Sequence, residues 1–184
     1  MRVFAALPLP AAVAGPLDSA LAPARLACPG MRWVSPAGFH VTLHFFGEVP
    51  EEGVTAIERV FDDAELRVPA IPTRLGRTGQ FPPGGSPRVL WVGLARGEAE
   101  IRAYWDLFER KICPLGWTPD ARGFSAHITI ARAGRSAAAA GNVNLEMPDM
   151  DFLMEECVLF RSILGRSGAQ YVPLKKITLG RGHG

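Results

Sequence analysis

Two short segments of the chain carry the same polar pair. Phe39-His40-Val41-Thr42-Leu43 and Phe124-Ser125-Ala126-His127-Ile128-Thr129-Ile130 both contain His-aliphatic-Thr-aliphatic. The histidines are 127 − 40 = 87 residues apart, about half of the 184-residue length. One such tetrad on a strand arises readily by chance. Two copies half a chain apart, in a sequence with four histidines, do not. Side chains alternate along a strand, so His40 and Thr42 share one face, and His127 and Thr129 share another. Val41, Leu43, Ile128 and Ile130 fall on the opposite faces, as core residues would. If the two strands meet, two imidazoles and two hydroxyls converge. Imidazoles titrate near neutrality and can act as base and acid at opposite ends of an in-line displacement. Hydroxyls can donate to non-bridging phosphate oxygens. Such a set suits attack on phosphorus with no metal and no covalent intermediate, and a strained cyclic phosphodiester is its natural substrate.

Positioning these groups requires two strands and a scaffold. Arg2 to Leu7 reads as a buried strand, Met31 to Val34 as a short one, and Phe39 to Glu48 as a strand of β-forming residues. Further strands are expected at Ala70 to Gln80, Val89 to Leu94 and Phe124 to Ala131. Phe152 to Leu164 reads as one strand with a bulge, turning at Gly165–Gly168 into a return strand from Gln170 to Leu179. Helices are expected over Pro10 to Leu26, limited or broken by Pro16 and Pro23, from Pro50 to about Asp63, and over Glu98 to Ile112. In the last, Ile101, Trp105, Phe108 and Ile112 repeat at helical spacing. Ser136 to Leu145 fits a helical turn or a loop. Strands and helices alternate throughout, so the class is α/β or α+β with one mixed or antiparallel-rich sheet system. Residues 1–184 are expected to form one domain.

Other residues have weaker claims. His44 falls two residues after Thr42, and an ideal strand puts it on the His40 face. It either tunes His40, meets substrate or is a polar strand end. Phe46 keeps the same register and has the best aromatic claim to a base. Arg132 lies five residues after His127, which sets it on the opposite face unless the strand twists. A metal site from His40, His44 and His127 lacks the usual carboxylate or His-Glu-x-x-His spacing, so no metal is expected.

Composition limits the alternatives. Apolar residues make up 48% of the chain and charged residues 21%, which excludes disorder. No apolar run approaches the roughly 20 residues of a membrane span, and the start, broken by Pro8 and Pro10, is a poor signal peptide. Cys28, Cys113 and Cys157 form no Cys-x-x-Cys pair and fit a reducing cytoplasm. The net charge is +2, too small for a tight non-specific grip on long nucleic acid but compatible with an RNA end. No Gly-x-x-x-x-Gly-Lys phosphate loop is present.

The paired motifs resemble the signatures of the 2H phosphoesterase superfamily. Phe39 to Val49, Arg88-Val-Leu-Trp-Val-Gly93, Phe124 to Arg132 and Tyr171-Val-Pro-Leu-Lys175, in this order, are similar to the bacterial and archaeal RNA 2′,3′-cyclic phosphodiesterases, formerly called 2′-5′ RNA ligases. Ala126 and Ile130 depart from the proline and leucine common there. The resemblance implies two pseudo-symmetric lobes, each an antiparallel-rich sheet with helices, around a central cleft. It implies hydrolysis of a terminal 2′,3′-cyclic phosphate on RNA to a 2′-phosphate. His127 would accept a proton from water, His40 would protonate the departing 3′ oxygen, and Thr42 and Thr129 would hold the phosphate. It also favours a substrate-facing or organising Arg132. No cofactor, no metal and no membrane partner are expected, and the chain is expected to be a cytoplasmic monomer. The same site could serve another small cyclic phosphate (a cyclic nucleotide or ADP-ribose 1″,2″-cyclic phosphate), or the reverse 2′-5′ ligation. A nucleotide- or RNA-binding module without turnover is the non-enzymatic alternative.

Overall fold

The computed structural model describes residues 1–84, 86–121, 123–134, 145–165 and 168–180. Among these, nine strands and four α-helices form an α+β fold: β1 Arg2–Pro8, α1 Ala11–Ala20, α2 Ala22–Ala27, β2 Met31–Trp33, β3 His40–Glu48, α3 Glu51–Val60, β4 Ile71–Phe81, β5 Val89–Arg96, α4 Glu98–Ile112, β6 Ile128–Ala133, β7 Asp151–Met154, β8 Glu156–Gly165 and β9 Gly168–Thr178.

All strand pairings are antiparallel, in the order β7-β4-β5-β6-β3-β1-β8-β9, with β2 also on β6. Four strands of this path lie on each side of the β3–β6 contact. That contact is a single bridge, Val41 opposite Ile128. Both bridge residues are fully buried, as are Leu7, Val92 and Leu159 on neighbouring strands. Each such side chain contributes about 1.5–3 kcal/mol by leaving water. The apolar face of the two motif strands therefore holds the seam, and the polar face is left open.

Helix α4 packs on the core side through Ile101, Tyr104, Phe108 and Ile112. Glu98 and Glu100 in its first turn and Arg110 and Lys111 in its last complement the helix dipole. It meets the expected bounds. Pro16 sits inside α1 without ending it, whereas the break falls at Leu21, with Pro23 in the first turn of α2.

The stretch expected as one strand from Phe152 to Leu164 is two strands. β7 pairs with β4 and β8 with β1, so the chain crosses between the two halves at Glu155. The Glu155 carbonyl accepts from the Leu179 amide, which satisfies the backbone at the crossing. The expected β8–β9 hairpin is present, with Gly165 opposite Gly168. Most of the Ser136–Leu145 segment and His183 lie outside the described residues.

Candidate active site

β3 and β6 run antiparallel through Val41 and Ile128. Read outward from this bridge, the register sets His40 toward Thr129 and Thr42 toward His127. The four polar residues of the repeat thus form one compact set, with histidine beside threonine across each pair. All four are half-buried.

Both imidazoles are oriented by the same device. His40 Nδ1 donates to the Gly38 carbonyl at 2.7 Å, and His127 Nδ1 donates to the Ser125 carbonyl at 2.8 Å. Each acceptor lies two residues upstream of its histidine. With Nδ1–H so engaged, Nε2 of each neutral ring is free to accept a proton. The Gly38 carbonyl is presented by a 3₁₀ turn over Pro36–Gly38. A side chain at Gly38 would meet Val34 Cγ1 at 2.9 Å and Tyr171 Cε2 at 3.5 Å, so the close packing here requires glycine. On the other side, β6 begins at Ile128, later than the expected Phe124. Phe124 is instead stacked on Trp105 of α4 (4.9 Å), and its carbonyl accepts from Arg102.

Aromatic rings wall each histidine. Phe4 and Tyr171 lie 5.0 and 5.3 Å from His40, and Phe81 and Trp91 lie 5.2 and 6.2 Å from His127. Trp91 lies across Gly79, where a Cβ would come within 2.2 Å of its ring. Burial penalises the charged imidazolium and pushes His40 down to about 4. The positive charges of Arg132 and His127 act in the same direction, against the Gly38 hydrogen bond. His127 is also lowered, by burial first and by Arg132.

Two of the weaker candidates do not face this set. On β1, Ala6 lies opposite Thr42, but the next residue, Ala5, lies opposite His44. Leu43 is therefore an extra residue, a β-bulge. The alternation is reset there, and His44 turns to the core face. It is 6% exposed and its Nδ1 meets Glu109 Oε1 of α4 at 2.7 Å. A second bulge at Phe46 follows, because Phe4 lies opposite Phe45 and Val3 opposite Gly47. Phe46 is 7% exposed, packed on His44 and Trp117. The expectation that His44 and Phe46 share the His40 face is corrected by these bulges. The aromatic residue of β3 on that face is Phe45, 61% exposed and 5.8 Å from Phe4.

The same irregularity rescues Arg132. Trp91 lies opposite Thr129, and Val89 opposite Arg132, with Ile130 as the extra residue. Trp91 and Val89 share a face, so Thr129 and Arg132 do too. The face opposite to Thr129, expected for Arg132 from spacing alone, is corrected by the bulge. Its guanidinium acts on both His40 and His127. Among the described residues no group of three His, Cys, Asp or Glu side chains is arranged to hold a metal, and no helix is long and apolar enough to cross a membrane.

An antiparallel α+β fold with two His-x-Thr strands meeting at one seam defines a phosphoesterase of the two-histidine class, and residues 7–91 match the family model described as LigT-like phosphoesterase. The chain is 35% identical over 153 residues to the RNA 2′,3′-cyclic phosphodiesterase of Aeropyrum pernix, spanning 80% of this chain and 85% of the relative. It is 33% identical to the enzyme of that name from Thermus thermophilus, spanning 100% of this chain and 93% of the relative. A solved protein of Thermus thermophilus superposes with a TM-score of 0.79 at 30% identity, covering 98% of this chain and 100% of that one. The chain belongs to the LigT-like phosphoesterase family of the 2H superfamily.

Proposed function

We propose that the chain is an RNA 2′,3′-cyclic phosphodiesterase that opens a terminal cyclic phosphate to a 2′-phosphate. The observation that carries this reading is the pair of imidazoles, each pinned through Nδ1 to a carbonyl two residues upstream, on one polar face with Thr42 and Thr129. The cyclic phosphate sits between the two histidines. Thr42 and Thr129 donate to its non-bridging oxygens. His127 Nε2 takes a proton from water, and the resulting hydroxide attacks phosphorus in line with the 3′ oxygen. The P–O3′ bond breaks, and His40 Nε2–H passes its proton to that oxygen. The products are a 2′-phosphomonoester and a free 3′-hydroxyl.

His40 must carry a proton at Nε2 for this step, yet in the empty site burial and the nearby Arg132 cation keep it neutral. A bound phosphate anion reverses that balance, because an opposite charge close by favours the imidazolium. Substrate binding thus charges the acid that the reaction needs. Arg132, on the same face, adds a cation for the same anion. In this reading residues 1–184 are one domain of two lobes, each supplying one His-x-Thr strand. The relatives' names and the small set of uncharged donors support an RNA end as substrate. No cofactor is required.

The test is incubation of the purified protein with RNA ending in a 2′,3′-cyclic phosphate, with and without EDTA. Formation of 2′-phosphate insensitive to EDTA is expected. His40→Ala and His127→Ala each reduce turnover by about 100-fold or more, the usual contribution of one positioned acid or base. Retention of most activity by either variant overturns the assignment.

A further inference from the structure

β2 is a short edge strand with two contrasting faces. Met31 and Trp33 pack with Cys28, Ala131 and Leu90 in a small apolar cluster. Arg32 points the other way and is exposed. In the β2–β6 register Arg32 lies directly opposite Arg132. Two guanidinium groups on adjacent strands and one face repel each other, and such a pair is unfavourable by itself. Neither has a hydrogen-bond or ion-pair partner among the described residues. By contrast, Arg74 on β4 meets both Asp149 and Asp151. The unneutralised, directly opposed pair lies at the rim of the catalytic face.

Its position along β6 gives the ligand. Arg132 follows Thr129 by three residues, one of them bulged, so the pair stands at most about 10 Å along the strand from the threonine. A single nucleotide and two long side chains bridge that gap. Arg is suited to bidentate phosphate contact. We propose that Arg32, beside Arg132, takes the internucleotide phosphate one step upstream of the cyclic end, and so selects a polymer end over a cyclic mononucleotide. This rests on the cyclic-phosphodiesterase reading above. Arg132 answers to both anions, whereas Arg32 answers to the upstream one. Arg32 is a specificity-determining residue in this arrangement and takes no part in bond breaking.

The test compares kcat/KM on adenosine 2′,3′-cyclic monophosphate with kcat/KM on a dinucleotide ending in a 2′,3′-cyclic phosphate. The unaltered protein favours the dinucleotide. Arg32→Gln lowers the dinucleotide-to-mononucleotide ratio by about tenfold, the loss of one charge-assisted contact. Arg32 is exposed on an edge strand, and its replacement relieves repulsion, so the variant folds. An unaltered ratio in Arg32→Gln overturns the inference, whether both activities fall together or neither does. Failure of the unaltered protein on both substrates overturns the proposed function and this inference with it.

Discussion

Phe45 and Arg132 occupy equivalent positions in the two halves of the site. Each lies five residues beyond its histidine (45 − 40 and 132 − 127), and each is turned to the polar face by a bulge at the residue after the motif threonine. One half thus presents an aromatic plane where the other presents a cation. A base and a phosphate call for that combination.

Phe45 and Phe46 are expected to respond oppositely to truncation. Phe45→Ala removes a stacking plane that is already exposed, so stability is unchanged and KM for a cyclic nucleotide rises about tenfold. Phe46→Ala empties a packed site in the core and costs about 3–5 kcal/mol in urea unfolding, with KM of the folded protein unchanged. If Phe46→Ala raises KM and Phe45→Ala does not, the bulge assignment fails.

Arg132→Gln is expected to shift the pH–rate profile to the alkaline side. The guanidinium lowers both imidazoles, so its removal stabilises both imidazolium forms and raises both pKa values. Both limbs of the profile move to higher pH, as values of a coupled pair. A profile displaced to lower pH, or only scaled in height, contradicts the placement of Arg132.

Acid should weaken the fold through His40. Its pKa is lowered from 6.5 to about 4, so the folded state prefers the neutral ring. The contribution is complete above pH 6.5 and is lost as pH falls from there through about 4, by at most about 3 kcal/mol. His40→Asn cannot titrate, and its stability should fall less over that window. Equal slopes for the two proteins in denaturant titrations would count against the burial of this ring.

Glu109→Ala is expected to lower stability and to leave the substrate contacts intact. The change leaves His44 Nδ1 buried without its hydrogen-bond partner, which costs about 1–3 kcal/mol. Unfolding midpoints should fall, while KM for the cyclic nucleotide in the folded protein stays the same. A large KM effect would make His44 a substrate contact after all.

What the sequence disclosed and what it concealed have a common physical origin. Strand and helix bounds such as those of β3 and α4 follow from local alternation and helical spacing, which a sequence displays directly. The His40, Thr42, His127, Thr129 set follows from the same period of two. That period holds until Leu43 and Ile130, where a bulge depends on the partner strand's register and leaves no mark in residue type. Strict alternation hence places His44 and Phe46 on the wrong face and hides Phe45. The crossing at Glu155 is hidden for a related reason: the apolar run continues across it while its pairing partner changes from β4 to β1. Arg32 offers no signal until β2 is laid against β6.

Helix α4 has a role that its place in the core does not suggest. Glu109 grips the strand carrying one histidine from beneath, and Trp105 and Arg102 hold the segment leading to the other. A single rod therefore serves as the common datum for two half-sites that meet at one backbone bridge. Displacements of that rod are shared by both imidazoles and cancel in the gap between them. The spacing a phosphorus atom must fit is thereby insulated from movements of the scaffold that supports it.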